Sequence, residues 1–206
     1  MIEGYQKLHD GHWYQCKELG KPISYNLNYV ATYNKYPTHK MSRLRFNLVD
    51  NVVNFNSVLD VGFGRGDFLE RCIEMGKNSF GHDISGYPIP RGAIQADTTQ
   101  PADLYTFFDC LEHFTEKDLS GFLRDIPCKY LLITLPLLHE DLGAEHFISW
   151  KHRKPGEHIH HFTERGLRTL MEYSNYNIVY SGHPEDEIRG KLTDNLHNTL
   201  TMIGKK

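Results

Sequence analysis

The sequence predicts an α/β fold: a doubly wound, mostly parallel seven-stranded sheet with helices on both faces. Three observations predict it. Short β-type runs alternate with amphipathic segments of helical period, a glycine-rich turn joins the first sheet strand to the next helix, and one later run, KYLLITLP, is apolar enough to be buried on both faces. Strands that alternate with helices imply parallel neighbours joined by crossovers.

The elements follow in order. Residues 1–36 are irregular and carry Tyr5, Tyr14, Tyr25, Tyr29, Tyr33 and Tyr36 with Trp13 but few aliphatic residues. Such a segment builds no core of its own, and we expect an arm that folds over a ligand as a lid, with packing elsewhere or a dimer contact as the alternatives. Residues 37–206 are expected to form the main domain. Its first helix, in PTHKMSRLRFNLVDNVV, has Thr38 as N-cap and Met41, Leu44, Leu48 and Val52 at helical spacing. SVLDVG reads as a strand, and GDFLERCIEMG as a helix with Phe68, Leu69, Cys72 and Ile73 on one face and Gly76 as its stop. NSFGHD, GAIQAD, ADLYTFFD and KYLLITLP are further strands. Between the last two, TEKDLSGFLRDI has Thr115 and Asp118 spaced as a capping box ahead of Leu119, Phe122, Leu123 and Ile126. TERGLRTLMEYS is a helix with Leu167, Leu170 and Met171 inward, and YNIVYSG and NTLTMIG complete the seven strands.

Composition narrows the function. The 206 residues suit one domain, and no apolar run approaches the roughly 20 residues that span a bilayer. No membrane partner is expected, and the start MIEGYQKLHDGHWYQC lacks an export or transit pattern, so the expected location is cytoplasmic. Cys16, Cys72, Cys110 and Cys128 are scattered without a C-x-x-C pair, which argues for free thiols rather than a zinc ribbon or disulfide framework. Net charge is −3 and the pI about 6.5, so no global basic field draws the chain onto nucleic acid. KHRK, Lys151 to Lys154, is a local basic patch that we read as a solvated turn.

LDVGFGRGDFLE places Asp60, Gly62, Gly64 and Gly66 where a strand passes into a helix, a turn in which backbone approaches a ligand closely. The spacing is G-x-G-x-G, not the G-x-G-x-x-G of a dinucleotide site, and this disfavours a nicotinamide oxidoreductase. Together with Asp83 in GHDIS and Asp97 in QAD, it resembles the S-adenosylmethionine-binding signature of the Rossmann-like class I methyltransferases. The resemblance spans residues 40–182 in order of elements. It implies that S-adenosylmethionine is the cofactor, that Asp83 and the adjoining Ile84 meet its ribose end, that Asp60 orients the loop or the amino acid moiety, and that Asp97 lies by the adenine.

FFDCLEHF gathers Asp109, Glu112 and His113 at the end of the fourth strand, where ligands sit in such sheets. Asp109 is expected beside the cofactor. Glu112 and His113 either shape the pocket, or His113 or a later histidine such as His158 acts as general base. A third reading joins GEHIHHFTERGL: Asp109, Glu112 and His113, then His158 ahead of Phe162 and Thr163, look similar to the metal-ligand pattern of small-RNA 2′-O-methyltransferases. Asp109, Glu112, His113 and His158 would then hold Mg²⁺ or Mn²⁺. Asp109 departs from that pattern, which has the longer glutamate. His139, His146, His160 and His161 are more ordinary candidates for the acceptor pocket, and Phe147 and Trp150 are expected to wall that pocket or the core. The acceptor expected is the O or N of a small molecule; a metal-assisted nucleic-acid or nucleotide O-methyltransferase and a non-catalytic binding module are the alternatives.

Overall fold

The computed structural model describes residues 2–26, 30–31 and 39–206, apart from the side chain of residue 194. Tyr29, Tyr33, Tyr36 and the Thr38 cap lie outside the described residues. Ten strands run through the described chain: β1 Tyr5–His9, β2 His12–Gln15, β3 Ser57–Val61, β4 Asn78–His82, β5 Ile94–Gln95, β6 Ala102–Phe108, β7 Cys128–Pro136, β8 His160–Phe162, β9 Asn177–Gly182 and β10 Thr199–Lys205. Six α-helices join them: α1 His39–Val52, α2 Asp67–Glu74, α3 Leu119–Asp125, α4 Gly143–Ser149, α5 Glu164–Tyr173 and α6 Asp186–Arg189.

Seven strands form one sheet in the order β5-β4-β3-β6-β7-β10-β9. The pairs from β5 through β7 are parallel, and β10 enters antiparallel between β7 and β9. These are the seven runs read from the sequence. Strand alternation between two covered faces explains why the central strands β3, β6 and β7 are mostly apolar. Leu59, Tyr105, Phe107, Leu131 and Ile133 face a layer holding Leu119 and Leu123 of α3 and Leu167, Leu170 and Met171 of α5. Their neighbours Val58, Leu104, Leu132 and Ile203 face Phe46 and Val49 of α1 and Phe68, Leu69 and Cys72 of α2.

Three expectations need correction. In α1 the buried stripe is Met41, Ser42, Phe46 and Val49, continuing to Val53, while Leu44, Leu48 and Val52 are half-buried along its border. Phe46, left out of the predicted stripe, is the larger apolar group and takes the centre. At α3, Thr115 is no cap; the helix begins one residue after Asp118, whose carboxylate accepts from the Ser120 amide at 3.0 Å. The N-terminal segment is also not irregular in its first part. β1 and β2 form an antiparallel hairpin around Asp10-Gly11, and β2 pairs with β8 to make a second, three-stranded sheet. Tyr5 closes a core of its own there with Leu138, Phe147 and Trp150.

Candidate functional site

The site forms at the carboxyl ends of β3, β4 and β6. The chain leaves β3 through Gly62, Gly64 and Gly66, all at positive φ. Two of these glycines show different needs. A Cβ on Gly66 would overlap the Pro90 ring, so this residue lets the start of α2 pack tightly. A Cβ on Gly64 would meet nothing within 4 Å, because Gly64 borders a cavity of about 350 Å³. Gly62, Asp83, Ile84, Asp109 and His113 also line it, with Tyr25, Cys110 and the segment Phe114 to Glu116.

Asp83, just past β4, ties this turn together. Its Oδ2 accepts from the Gly64 amide at 2.8 Å, and its Oδ1 from the Ser85 amide at 2.7 Å and from the Ser85 hydroxyl. Ile84 beside it is 72% exposed, an apolar side chain left open at the cavity rim. Tyr25 of the N-terminal segment lies across the cavity with its ring 6.4 Å from that of His113, and burial pushes its phenol upward.

Two predicted cofactor residues stand elsewhere. Asp60 is buried within the sheet, accepts from the Thr106 hydroxyl at 2.7 Å, and does not line the cavity. Burial raises its carboxyl to about 7. Asp97 is exposed and caps its own turn, accepting from the Thr99 amide at 2.8 Å and hydroxyl at 2.5 Å, which lower its carboxyl. It too is outside the cavity lining.

Asp109 follows β6 in the left-handed region at φ 49°, uncommon for a residue with a side chain. Its carboxylate accepts from Nη2 of Arg189 and lies 3.5 Å from Nη2 of Arg45. Burial pushes this carboxyl up, but the two guanidiniums outweigh it and hold the group below its ordinary value. Both arginines also grip Glu185, 1% exposed, at 2.6 Å from Arg45 Nε and 2.7 Å from Arg189 Nε. Arg45 further stacks over Phe108 at 3.9 Å. Sequence reading missed Arg45, Glu185 and Arg189: Glu185 and Arg189 are spaced i,i+4, but nothing local ties that pair to Arg45 or Asp109, which lie far away in the chain.

Asp109 is therefore spoken for by arginine, and the structure leaves it out of the proposed ligand group. Glu112, His113 and His158 do come together, each with one donor atom within 4.8 Å of the others. Glu112 and His113 sit on a 3₁₀ turn, Leu111–His113; His158 arrives from the segment before β8, where the Ile159 amide donates to the Glu112 carbonyl at 2.7 Å. Glu112 is 2% exposed, and neither carboxylate oxygen has a hydrogen-bond partner among the described residues; nor does His113 Nδ1. Burial, then the Asp109 charge, drives the Glu112 carboxyl well up. Burial also lowers His113 and takes His158 down to about 2, so both imidazoles are neutral near pH 7.

The four histidines expected at the acceptor pocket, His139, His146, His160 and His161, lie outside the cavity lining. His139 Nε2 donates to the His197 carbonyl at 2.8 Å, and His146 Nε2 is buried without a partner among the described residues. His161 lies beside Phe147 and Trp150, which belong to the hairpin core rather than to the cavity wall. KHRK is partly engaged: Arg153 lies over Tyr5 and Lys154 pairs with Glu157 at 2.8 Å. All four cysteines are free, Cys72 and Cys128 buried and Cys16 exposed. No helix among the described residues is long and apolar enough to cross a membrane.

A mostly parallel sheet opening onto a glycine-walled cavity at its switch point is where α/β folds commonly bind ligands. Residues 24–181 match the family described as a methyltransferase domain, and the chain belongs to that family. No curated protein matches it. Among solved structures, an S-adenosylmethionine-dependent methyltransferase from Archaeoglobus fulgidus is 21% identical with a TM-score of 0.57, over 86% of this chain and 99% of that one. A 1,6-didemethyltoxoflavin-N1-methyltransferase from Burkholderia thailandensis, solved with its substrate and S-adenosylhomocysteine, is 14% identical with a TM-score of 0.59, over 98% of both chains. Magnesium protoporphyrin IX methyltransferase from Synechocystis, with bound S-adenosylhomocysteine, is 12% identical with a TM-score of 0.55, over 82% of this chain and 83% of that one.

Proposed function

We propose that the protein transfers a methyl group from S-adenosylmethionine to an O or N atom of a small molecule. The cavity between Gly62, Gly64 and Asp83 carries this reading. Its volume is that of a small-ligand site, Gly64 presents bare backbone to it, and the fold neighbours named above include enzymes of small molecules. When bound, the cofactor supplies an electrophilic methyl on its sulfonium. The protein's own contribution is alignment and exclusion of water.

In this reading Asp83, whose Oδ2 keeps a lone pair beyond the one used by Gly64, accepts from a ribose hydroxyl. Ile84 and Gly62 flank the same ligand, and Tyr25 covers the end nearest His113, giving the N-terminal segment its lid role. Asp60 and Gly66 support the turn from behind. Neutral His113, which lines the cavity where His158 does not, takes the acceptor proton at a ring nitrogen.

The unpartnered oxygens of Glu112 beside two neutral imidazoles also suit a divalent cation, and Glu112, His113 and His158 would hold Mg²⁺ or Mn²⁺. Such an ion would lower the pKa of an acceptor hydroxyl. Asp109 has no place in that set, because Arg45 and Arg189 already neutralise it. The same cluster is what favours a nucleic-acid or nucleotide O-methyltransferase as second reading; the engagement of Arg153 and Lys154 within the protein weighs against a basic groove. The four free thiols agree with a reducing, cytoplasmic location.

The test is methyl transfer from labelled S-adenosylmethionine to a panel of phenols, alcohols, amines and RNA oligonucleotides, with and without Mn²⁺. Label on small molecules is expected. Label on RNA alone would replace the first reading by the second, and binding without transfer to any acceptor would leave a binding module.

A further inference from the structure

The segment Phe114 to Glu116 walls the cavity yet belongs to neither helix nor strand, so its carbonyls must find partners outside the segment. Those partners come from the small sheet. The Tyr14 hydroxyl donates to the Thr115 carbonyl at 3.2 Å, and Nε2 of His160 to the Glu116 carbonyl at 3.0 Å. Just beyond, Lys117 Nζ donates to Gln6 Oε1 at 3.2 Å.

His160 does not stand alone. Its Nδ1 lies 2.8 Å from Nε2 of His12, and Nδ1 of His12 lies 3.0 Å from Nε2 of His9. His12 and His160 are 2% and 1% exposed and have no carboxylate at their ring nitrogens to stabilise a charge, so both are neutral. The carbonyl at the end of the chain fixes the protons on His160 and His12. An oxygen of Glu116 can only accept, so His160 carries hydrogen on Nε2 and a lone pair on Nδ1. That lone pair requires hydrogen on His12 Nε2, which leaves His12 Nδ1 to accept from His9 Nε2. The His12 ring is held by the β2–β8 pairing and by Phe162, stacked on it at 4.1 Å.

We propose that the chain His9, His12 and His160 is a positioning device through which the N-terminal hairpin fixes the Glu116 wall of the cofactor cavity, making the hairpin part of the cofactor site. The inference rests on reading that cavity as the S-adenosylmethionine site. It implies reciprocity: what loosens the hairpin weakens cofactor binding by the same factor that binding tightens the hairpin.

The test uses the full chain. Nitrogen-15 spectra of the imidazoles are expected to report His12 and His160 as Nε2–H tautomers; an Nδ1–H tautomer at His160 would overturn the proposal without any variant. Calorimetric titration with S-adenosylhomocysteine should then show about tenfold weaker binding for His160→Leu, the scale of one lost hydrogen bond. His160→Gln should recover most of it, since its amide can donate to Glu116 and accept from His12. Tyr14→Phe, which removes only the bond to Thr115, should weaken binding about threefold. Wild-type affinity in both His160→Leu and Tyr14→Phe overturns this inference alone. Absence of binding to the wild-type chain overturns the cofactor reading, and this inference with it.

Discussion

Gly64→Ala separates a binding role from a folding role at the glycine turn. Gly64 sits at φ +55°, where an alanine pays about 1–2 kcal/mol for the left-handed backbone. The unfolded chain gives back about 0.4–1 kcal/mol of that, because alanine has less freedom to lose than glycine. No atom lies within 4 Å of the new Cβ, so no clash is added, and the net cost is about 1 kcal/mol. For 206 residues that lowers the melting temperature by about 2–4 °C. Affinity should suffer far more. The Cβ would enter a cavity in which a ligand lies against bare backbone, and we expect S-adenosylhomocysteine to bind at least about tenfold more weakly. Gly66→Ala should show the converse: overlap with Pro90 adds about 1–3 kcal/mol of overpacking, so melting falls further while the cavity lining is untouched. Calorimetry and thermal melts on both variants decide it. Unchanged affinity in Gly64→Ala would refute the reasoning.

Other outcomes follow from the same geometry. Asp83→Ala deletes the acceptor of the Gly64 amide and the proposed ribose contact, so S-adenosylhomocysteine affinity should drop by at least about tenfold in calorimetry; retained affinity removes Asp83 from the site. Asp60 binds its proton more tightly folded, at about 7, than unfolded, at about 3.9, so its contribution to stability declines as pH rises from 4 to 7. Asp60→Asn should flatten that decline in urea unfolding at pH 5 and 7.5; an unaltered slope contradicts it. Glu185→Ala strands two guanidiniums beside one remaining carboxylate and should cost about 3 kcal/mol by chemical denaturation, whereas a loss below about 1 kcal/mol means the pairs are effectively solvated. Glu112→Gln should abolish stoichiometric Mn²⁺ retention after dialysis, measured by metal analysis; equal retention excludes Glu112 as ligand.

The large sheet was legible because both of its faces are covered: runs such as SVLDV and KYLLITLP have no polar side to blur them. The glycine turn was legible for a related reason, as Gly62, Gly64 and Gly66 answer to local backbone demands that a short window contains. The small sheet was missed although Asp10-Gly11 is a strong two-residue hairpin signal. Its flanks alternate tyrosine, lysine and histidine instead of aliphatic residues, and its third strand, β8, lies some 145 positions away, from Gln15 to His160. The meeting of Glu112 and His113 with His158 was readable only through resemblance. The fate of Asp109 was not readable at all, because it depends on Arg45 and Arg189, brought in by α1 and α6 through tertiary packing.

The most direct test of the central claim is a calorimetric titration of the wild-type chain with S-adenosylhomocysteine, run after chelation and again with Mn²⁺. The account predicts one site per chain that survives chelation, since Gly62, Gly64 and Asp83 do not depend on the Glu112, His113 and His158 cluster. No heat of binding under either condition would contradict it.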